Sequence, residues 1–234
     1  MRWLIADYAY RALMNQGGAV AAAIGGDSAF VLRPPNLEPG GPGTGVARYR
    51  SFFRFEIDLL AGAIAPAYRW VLYDPESWPD TPKAEQADPA RYMQEFGQLA
   101  HSRGYRVIMA PARDLAFCDP DRVPARGASA WYLDVGMAET AAEYGDVVSI
   151  QSQALTEDLT GYAKFVSAAS RQVRDRNPYA LRLAGVSTTY GTAAQMAAAA
   201  KSVKSVEADG FWLNVPGPNP DYAKAAEFLR LVTA

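Results

Sequence analysis

Short apolar runs and longer amphipathic runs alternate from one end of the chain to the other. Eight short runs read as strands: residues 2–8 (RWLIADY), 29–34 (AFVLRP), 69–73 (RWVLY), 106–112 (RVIMAPA), 129–135 (SAWYLDV), 146–153 (DVVSIQSQ), 180–187 (ALRLAGVS) and 210–215 (GFWLNV). They are rich in β-branched and aromatic residues and are bounded by turn formers. Residues 9–24 form a first helix that Gly17 and Gly18 weaken, and 52–65 form another that Pro66 ends. Asp88 caps a helix over 90–103 that Gly104 closes. Helices over 137–144, 158–176 and 192–203 follow, and Pro220, Asp221 and Tyr222 open the last one. The stretch 35–45 (PNLEPGGPGTG) carries too much Pro and Gly for helix or strand and reads as a loop.

Strands that alternate with helices imply parallel pairing and right-handed crossovers. Eight such units in 234 residues fit a single (β/α)8 TIM-like barrel over 1–234, of class α/β. The runner-up is a doubly wound open sheet, but the G-x-G-x-x-G turn of its dinucleotide-binding form is absent after the first strand. Half of the residues are hydrophobic, enough for one large core. A formal net charge of −2 gives neither a nucleic-acid footprint nor a surface for anionic membranes. No run reaches the ~18 apolar residues of a membrane span. Asp7 and Arg11 break up the N-terminal stretch, which lacks the basic start and clean apolar core of a signal peptide. The expectation is a soluble, cytoplasmic protein that takes a small-molecule substrate and has no nucleic-acid or membrane partner. One cysteine, Cys118, rules out an intrachain disulfide. With His101 the one histidine, a zinc site of the usual kind is not expected. An oxygen-only magnesium or calcium site stays open as an alternative without a loop signature, and the expectation is neither metal nor cofactor.

In a (β/α)8 barrel the active site lies at the C-terminal ends of the strands. The central stretch is 68–82, YRWVLYDPESWPDTP, where a buried run ends in two acids. Asp74 and Glu76 are two apart, so on a continuing strand they project to the same side, where each shifts the other's pKa. Glu76 is the candidate general acid or base and Asp74 its orienting partner. The alternative is a capping Asp74 and a Glu76 paired on the surface. Asp134, at the end of the SAWYLDV run, is the candidate second carboxylate across the barrel, or else an N-cap near Met137. Gln151 and Gln153 share one strand face with Ser149 and offer neutral donors and acceptors to a polyhydroxylated or amide-bearing ligand. Arg33 and Arg113 hold an anionic substrate group or neutralise nearby acids. Tyr73, Trp78, Ser187, Trp212 and Asn214 complete the substrate-binding set, with Trp78 and Trp212 as stacking surfaces or core plugs. The loop after the seventh run could cradle a phosphate on Ser187, Thr188, Thr189 and Gly191, although no lysine is near in sequence.

The run YDPESW, with TP at 81–82, EQ at 85–86 and DP at 88–89, resembles an uncharacterised family of bacterial proteins that are predicted (β/α)8 barrels. APARDL (110–115), IQSQ (150–153), AGVST (184–188) and GFWLNVPGP (210–218) extend that resemblance over most of the chain. It implies the barrel fold and no particular activity. Asp74-Pro75-Glu76 and Trp212 are weakly similar to elements of the family 18 chitinase-like glycoside hydrolases, which end a strand in an acidic D-x-E signature and place a Trp of the last strand under the sugar. That likeness implies Glu76 as the acid. Trp70 and Leu72 stand where that signature has further acids.

Three functions follow as expectations. The first is a glycoside-hydrolase-like enzyme that uses a strand-end carboxylate pair. The second is a metal-free lyase, isomerase or cyclase of biosynthetic metabolism that moves a proton with the same carboxylates. The third is a non-catalytic small-molecule-binding barrel.

Overall fold

A computed structural model describes residues 1–118 and 126–234. Eight parallel strands follow one another around a closed barrel: β1 (Arg2–Ala6), β2 (Ala29–Arg33), β3 (Thr44–Tyr49), β4 (Trp70–Tyr73), β5 (Arg106–Met109), β6 (Val147–Ile150), β7 (Leu181–Ser187) and β8 (Gly210–Asn214). The barrel closes where β1 pairs with β8, from Arg2 opposite Gly210 to Ile5 opposite Leu213. The expected (β/α)8 architecture is present.

Side chains alternate between two buried layers. Leu4, Phe30, Leu32, Val46, Leu72, Ile108, Val147, Leu183 and Trp212 fill the barrel interior. Trp3, Ile5, Val31, Val71, Val107, Val148, Ala184 and Phe211 point outward into the layer under the helices. Both faces of each strand are therefore buried, which is why the strands read as continuous apolar runs.

The outer layer is built from α1 (Asp7–Met14), α2 (Gly18–Ile24), α3 (Phe52–Leu60), α4 (Lys83–Ala87), α5 (Pro89–Ser102), α6 (Ala128–Asp134), α7 (Met137–Tyr144), α8 (Leu159–Arg176), α9 (Ala193–Val203) and α10 (Tyr222–Thr233). Local chemistry sets their ends. Asp88, Asp158, Thr192 and Asp221 each accept a backbone N–H from the first turn of α5, α8, α9 and α10.

Two strand expectations are corrected, and they cancel in the count. Residues 129–135 do not form a stave, because Ala128–Asp134 is the helix α6. Trp131 and Tyr132 are both buried and adjacent, a pattern that a strand covered on both faces and a wedged helix share. The missing stave is β3, which begins at the end of the Pro/Gly tract. Gly43 has φ +84°, and a Cβ there would stand 2.6 Å from Val31 Cγ2. A Cβ at Gly45 would stand 2.3 Å from Pro39 Cβ. The glycines that made this stretch look structureless let the link from β2 fold tightly against the new strand.

Candidate active site

The backbone after β4 stays extended and paired. Asp74 N–H donates to Tyr49 O at 2.9 Å, while Tyr73 O and Pro75 O accept from Ala110 N–H and Ala112 N–H. Asp74 and Glu76 consequently lie on one side, as their spacing requires, and a single amide reaches both. Gln151 Nε2 donates to Asp74 Oδ1 at 2.9 Å, to Glu76 Oε1 at 3.3 Å and to Ala110 O at 2.8 Å. The Ala110 carbonyl and the Asp74 carboxylate are acceptors, so they fix which end of Gln151 faces them. Its Oε1 is left to accept from Gln153 Nε2 at 2.7 Å.

The two acids have different surroundings. Asp74 is fully buried, and its Oδ2 accepts from Arg48 Nη2 at 2.7 Å. Glu76 is half-buried and lines a cavity of about 430 Å³. Burial, reinforced by the negative charge of Asp74, pushes the Glu76 carboxyl up to about 8, against the opposing pull of Gln151 and Arg48. Burial and Asp74 thus favour the protonated form of Glu76 at neutral pH.

A small hydroxyl holds the loop that carries it. The buried Thr81 Oγ1 donates to Arg50 O at 2.9 Å and accepts Glu76 N–H at 3.2 Å and Trp78 Nε1–H at 3.0 Å. Gln86 Nε2 donates to Trp78 O and Thr81 O, both at 2.7 Å. Glu85 is fully buried and accepts from Ser51 Oγ, Phe52 N–H and Tyr73 Oη at 2.7–2.8 Å. It joins the end of β4 to the N-terminus of α3, where backbone N–H groups favour an anion.

The cavity lies at the C-terminal mouth of the barrel, and several sequence candidates meet there. Glu76, Trp78, Gln151, Gln153, Ser187, Trp212 and Asn214 all line it. Trp78 has one face occupied, because the Arg50 guanidinium lies 4.1 Å from its ring centroid. Four candidates stand elsewhere. Tyr73 points outward, stacked on Phe96 with ring centroids 4.8 Å apart. Arg113 lies behind the site, where its Nε donates to Gln151 O at 3.0 Å. Arg33 pairs with Asp7 at 2.8 Å and faces a second cavity of about 1000 Å³ beside the mouth. Asp134 is on the solvent side of α6, bonded to Arg126, because its run is a helix and not a stave. The loop after β7 spends a donor on protein: Gly191 N–H donates to Glu157 Oε1 at 3.0 Å, a carboxylate where a bound phosphate would be repelled.

Tyr8, Arg48, Arg50 and Tyr190 are among the lining residues that escaped the sequence pattern. Arg48 was recoverable from the alternation Val46, Arg48 on one face and Ala47, Tyr49 on the other, once β3 is recognised. Among the described residues, no group of three or more His, Cys, Asp or Glu side chains could hold a metal ion. Among them, too, no helix is long and apolar enough to cross a membrane.

Fold and site together define a class: a (β/α)8 barrel with one carboxyl in a polar, aromatic-walled cavity at its C-terminal mouth. No protein-family model and no curated protein matches the chain. Solved structures do match. The spore cortex-lytic enzyme SleL of Bacillus megaterium aligns over 99% of this chain and 73% of its own, with a TM-score of 0.56 and 10% identity. A Schiff base-forming fructose-1,6-bisphosphate aldolase aligns over 99% of this chain and 91% of its own, with a TM-score of 0.50 and 11% identity. A proposed α-L-fucosidase of Bacteroides thetaiotaomicron aligns over 76% of this chain at a TM-score of 0.49 and 10% identity, and this chain spans 59% of that one. At such identities the likeness is one of fold, and the resemblance carried by the YDPESW run stands at that level too.

Proposed function

We propose that this barrel is an enzyme in which Glu76 transfers a proton to or from a small, polar substrate held in the mouth cavity. The observation that carries this reading is a carboxyl that is open to a cavity yet pushed up to about 8 by burial and by Asp74. A group that keeps its proton at neutral pH is suited to deliver it to a departing oxygen. Glycoside cleavage is the first reaction this supports. Glu76 protonates the leaving oxygen, Trp212 floors the cavity, and the amides of Gln153 and Asn214 meet hydroxyl groups.

One observation favours a second reading. Glu76 is the one carboxylate among the described residues that line the cavity. The usual glycosidase pairs need a second carboxyl ~5–9.5 Å away, on the other side of the bond. Asp74 lies buried beside Glu76 rather than across from it. A lyase, isomerase or cyclase that moves one proton needs no second carboxylate.

Turnover by wild type and by Glu76→Gln decides between these. The substrates are aryl glycosides on one side and crude cell metabolites, followed for proton exchange with deuterated water, on the other. Wild type turns over at least one set, and Glu76→Gln loses ~10²-fold or more of that activity while remaining folded. Turnover that survives in Glu76→Gln contradicts the role given to this carboxyl.

A further inference from the structure

The mouth cavity and its larger neighbour meet along a ridge, and Arg48 and Arg50 line both sides of it. Beyond Glu76, these are the charged side chains of the mouth cavity among the described residues. Arg48 is matched by Asp74, which is buried beneath it. Arg50 is bonded to Asp80, whose side chain is 57% exposed at the rim. An exposed pair of that kind holds its partners weakly and gives way to a better-placed anion.

Donor capacity points the same way. A guanidinium carries five N–H donors. Among the described residues Arg48 donates once, through Nη2 to Asp74, and its Nε is buried without a partner. Arg50 donates once, through Nη1 to Asp80. The remaining donors are held on a platform, since the guanidinium carbons lie 5.9 Å and 4.1 Å from the centroid of Trp78. Cation–π attraction to the Trp78 ring holds Arg50 closely and Arg48 more loosely over the platform, and a guanidinium held this way keeps N–H groups for an anion. Farther into the larger cavity Arg33 and Arg54 are each committed to a carboxylate, Asp7 and Asp58.

We propose that the substrate is anionic, and that Arg48 and Arg50 receive its carboxylate or phosphate while its reacting end stands at Glu76. The class of substrate rests on the enzyme reading above, but the anion site can be tested without turnover.

The test is calorimetric binding of three matched six-carbon polyols: sorbitol, gluconate and sorbitol 6-phosphate. Wild type binds at least one of the two anions about tenfold or more tighter than sorbitol, the worth of one charge-assisted hydrogen bond. The tighter of the two anions identifies carboxylate or phosphate. In Arg50→Gln, and in Arg48→Lys, which keeps a cation beside Asp74, the advantage falls to about threefold or less. Arg91→Gln, an equal loss of charge on the exposed side of α5, leaves it unchanged. Sorbitol binding as tightly as both anions overturns the proposal. So does binding of none of the three, or an anion advantage that survives in either ridge variant. Glu76→Gln keeps the anion preference whatever it does to turnover, so failure of the proton-transfer reading and failure of the anion site give different results.

Discussion

Burial, reinforced by the charge of Asp74, raises the Glu76 carboxyl, and the consequence for stability has a definite sign. Its ordinary value is 4.5 and its value in the fold is about 8. Below pH ~4.5 folded and unfolded chains both hold the proton, and the preference of the fold for the neutral acid is fully expressed. As pH rises from there towards ~8 the unfolded chain releases its proton while the folded chain keeps it, so stability falls. Wild type therefore loses stability across this window relative to Glu76→Gln, which has nothing to titrate. The loss is on the order of 3 kcal/mol, discounted for partial exposure, and urea unfolding of both proteins at a series of pH values measures it. At this scale much of the site was legible. Spacing alone put Asp74 and Glu76 on one side. Gln151 and Gln153 also meet, but not on the strand face expected, because β6 ends at Ile150 and Gln153 opens a 3-10 turn. Arg48 and Arg50 were not legible, because a side chain can be assigned to a barrel mouth only after its strand has been recognised.

At the scale of elements, the run YDPESW…TP…EQ is mostly an anchor. Thr81 and Gln86 tie down the loop that carries Glu76, and Glu85 ties β4 to α3. Glu85→Ala strands the Ser51 and Tyr73 hydroxyls and the Phe52 N–H in a dry region. It costs roughly 3 kcal/mol or more in denaturant unfolding, whereas Glu76→Gln costs little. A Glu85→Ala protein as stable as wild type contradicts this account of the loop. Sequence periodicity could not separate those roles, since a buried anchoring acid and a catalytic acid look alike in a string. It also exchanged β3 for α6. Trp131 and Tyr132 favour strands, yet they are packed as helix residues between neighbouring elements. The TGVARY strand follows a tract whose glycines are required by close approach to Val31 and Pro39.

The whole barrel depends on the seam between its first and last staves. A Cβ on Gly210 would stand 2.0 Å from the backbone oxygen of Arg2, which cannot move without unpairing β1 from β8. Gly210→Ala weakens closure, exposes two strand edges and lowers stability by roughly 2–4 kcal/mol. Thermal unfolding and sedimentation measure the destabilisation and the association that exposed edges cause. An unchanged melting temperature contradicts the closed pairing. The overall architecture was legible because eight short buried runs separated by helices fit few arrangements. The chemistry was less so, since it depends on which side chains the closed ring brings face to face.

The central claim is that Glu76 is a neutral acid at physiological pH. The most direct measurement is a carbon-13 NMR titration of the glutamate carboxyl carbons, with the Glu76 resonance assigned by its absence in Glu76→Gln. The account predicts that this carboxyl titrates near pH 8. A midpoint at or below about 5, in the range of an ordinary carboxylate, contradicts it.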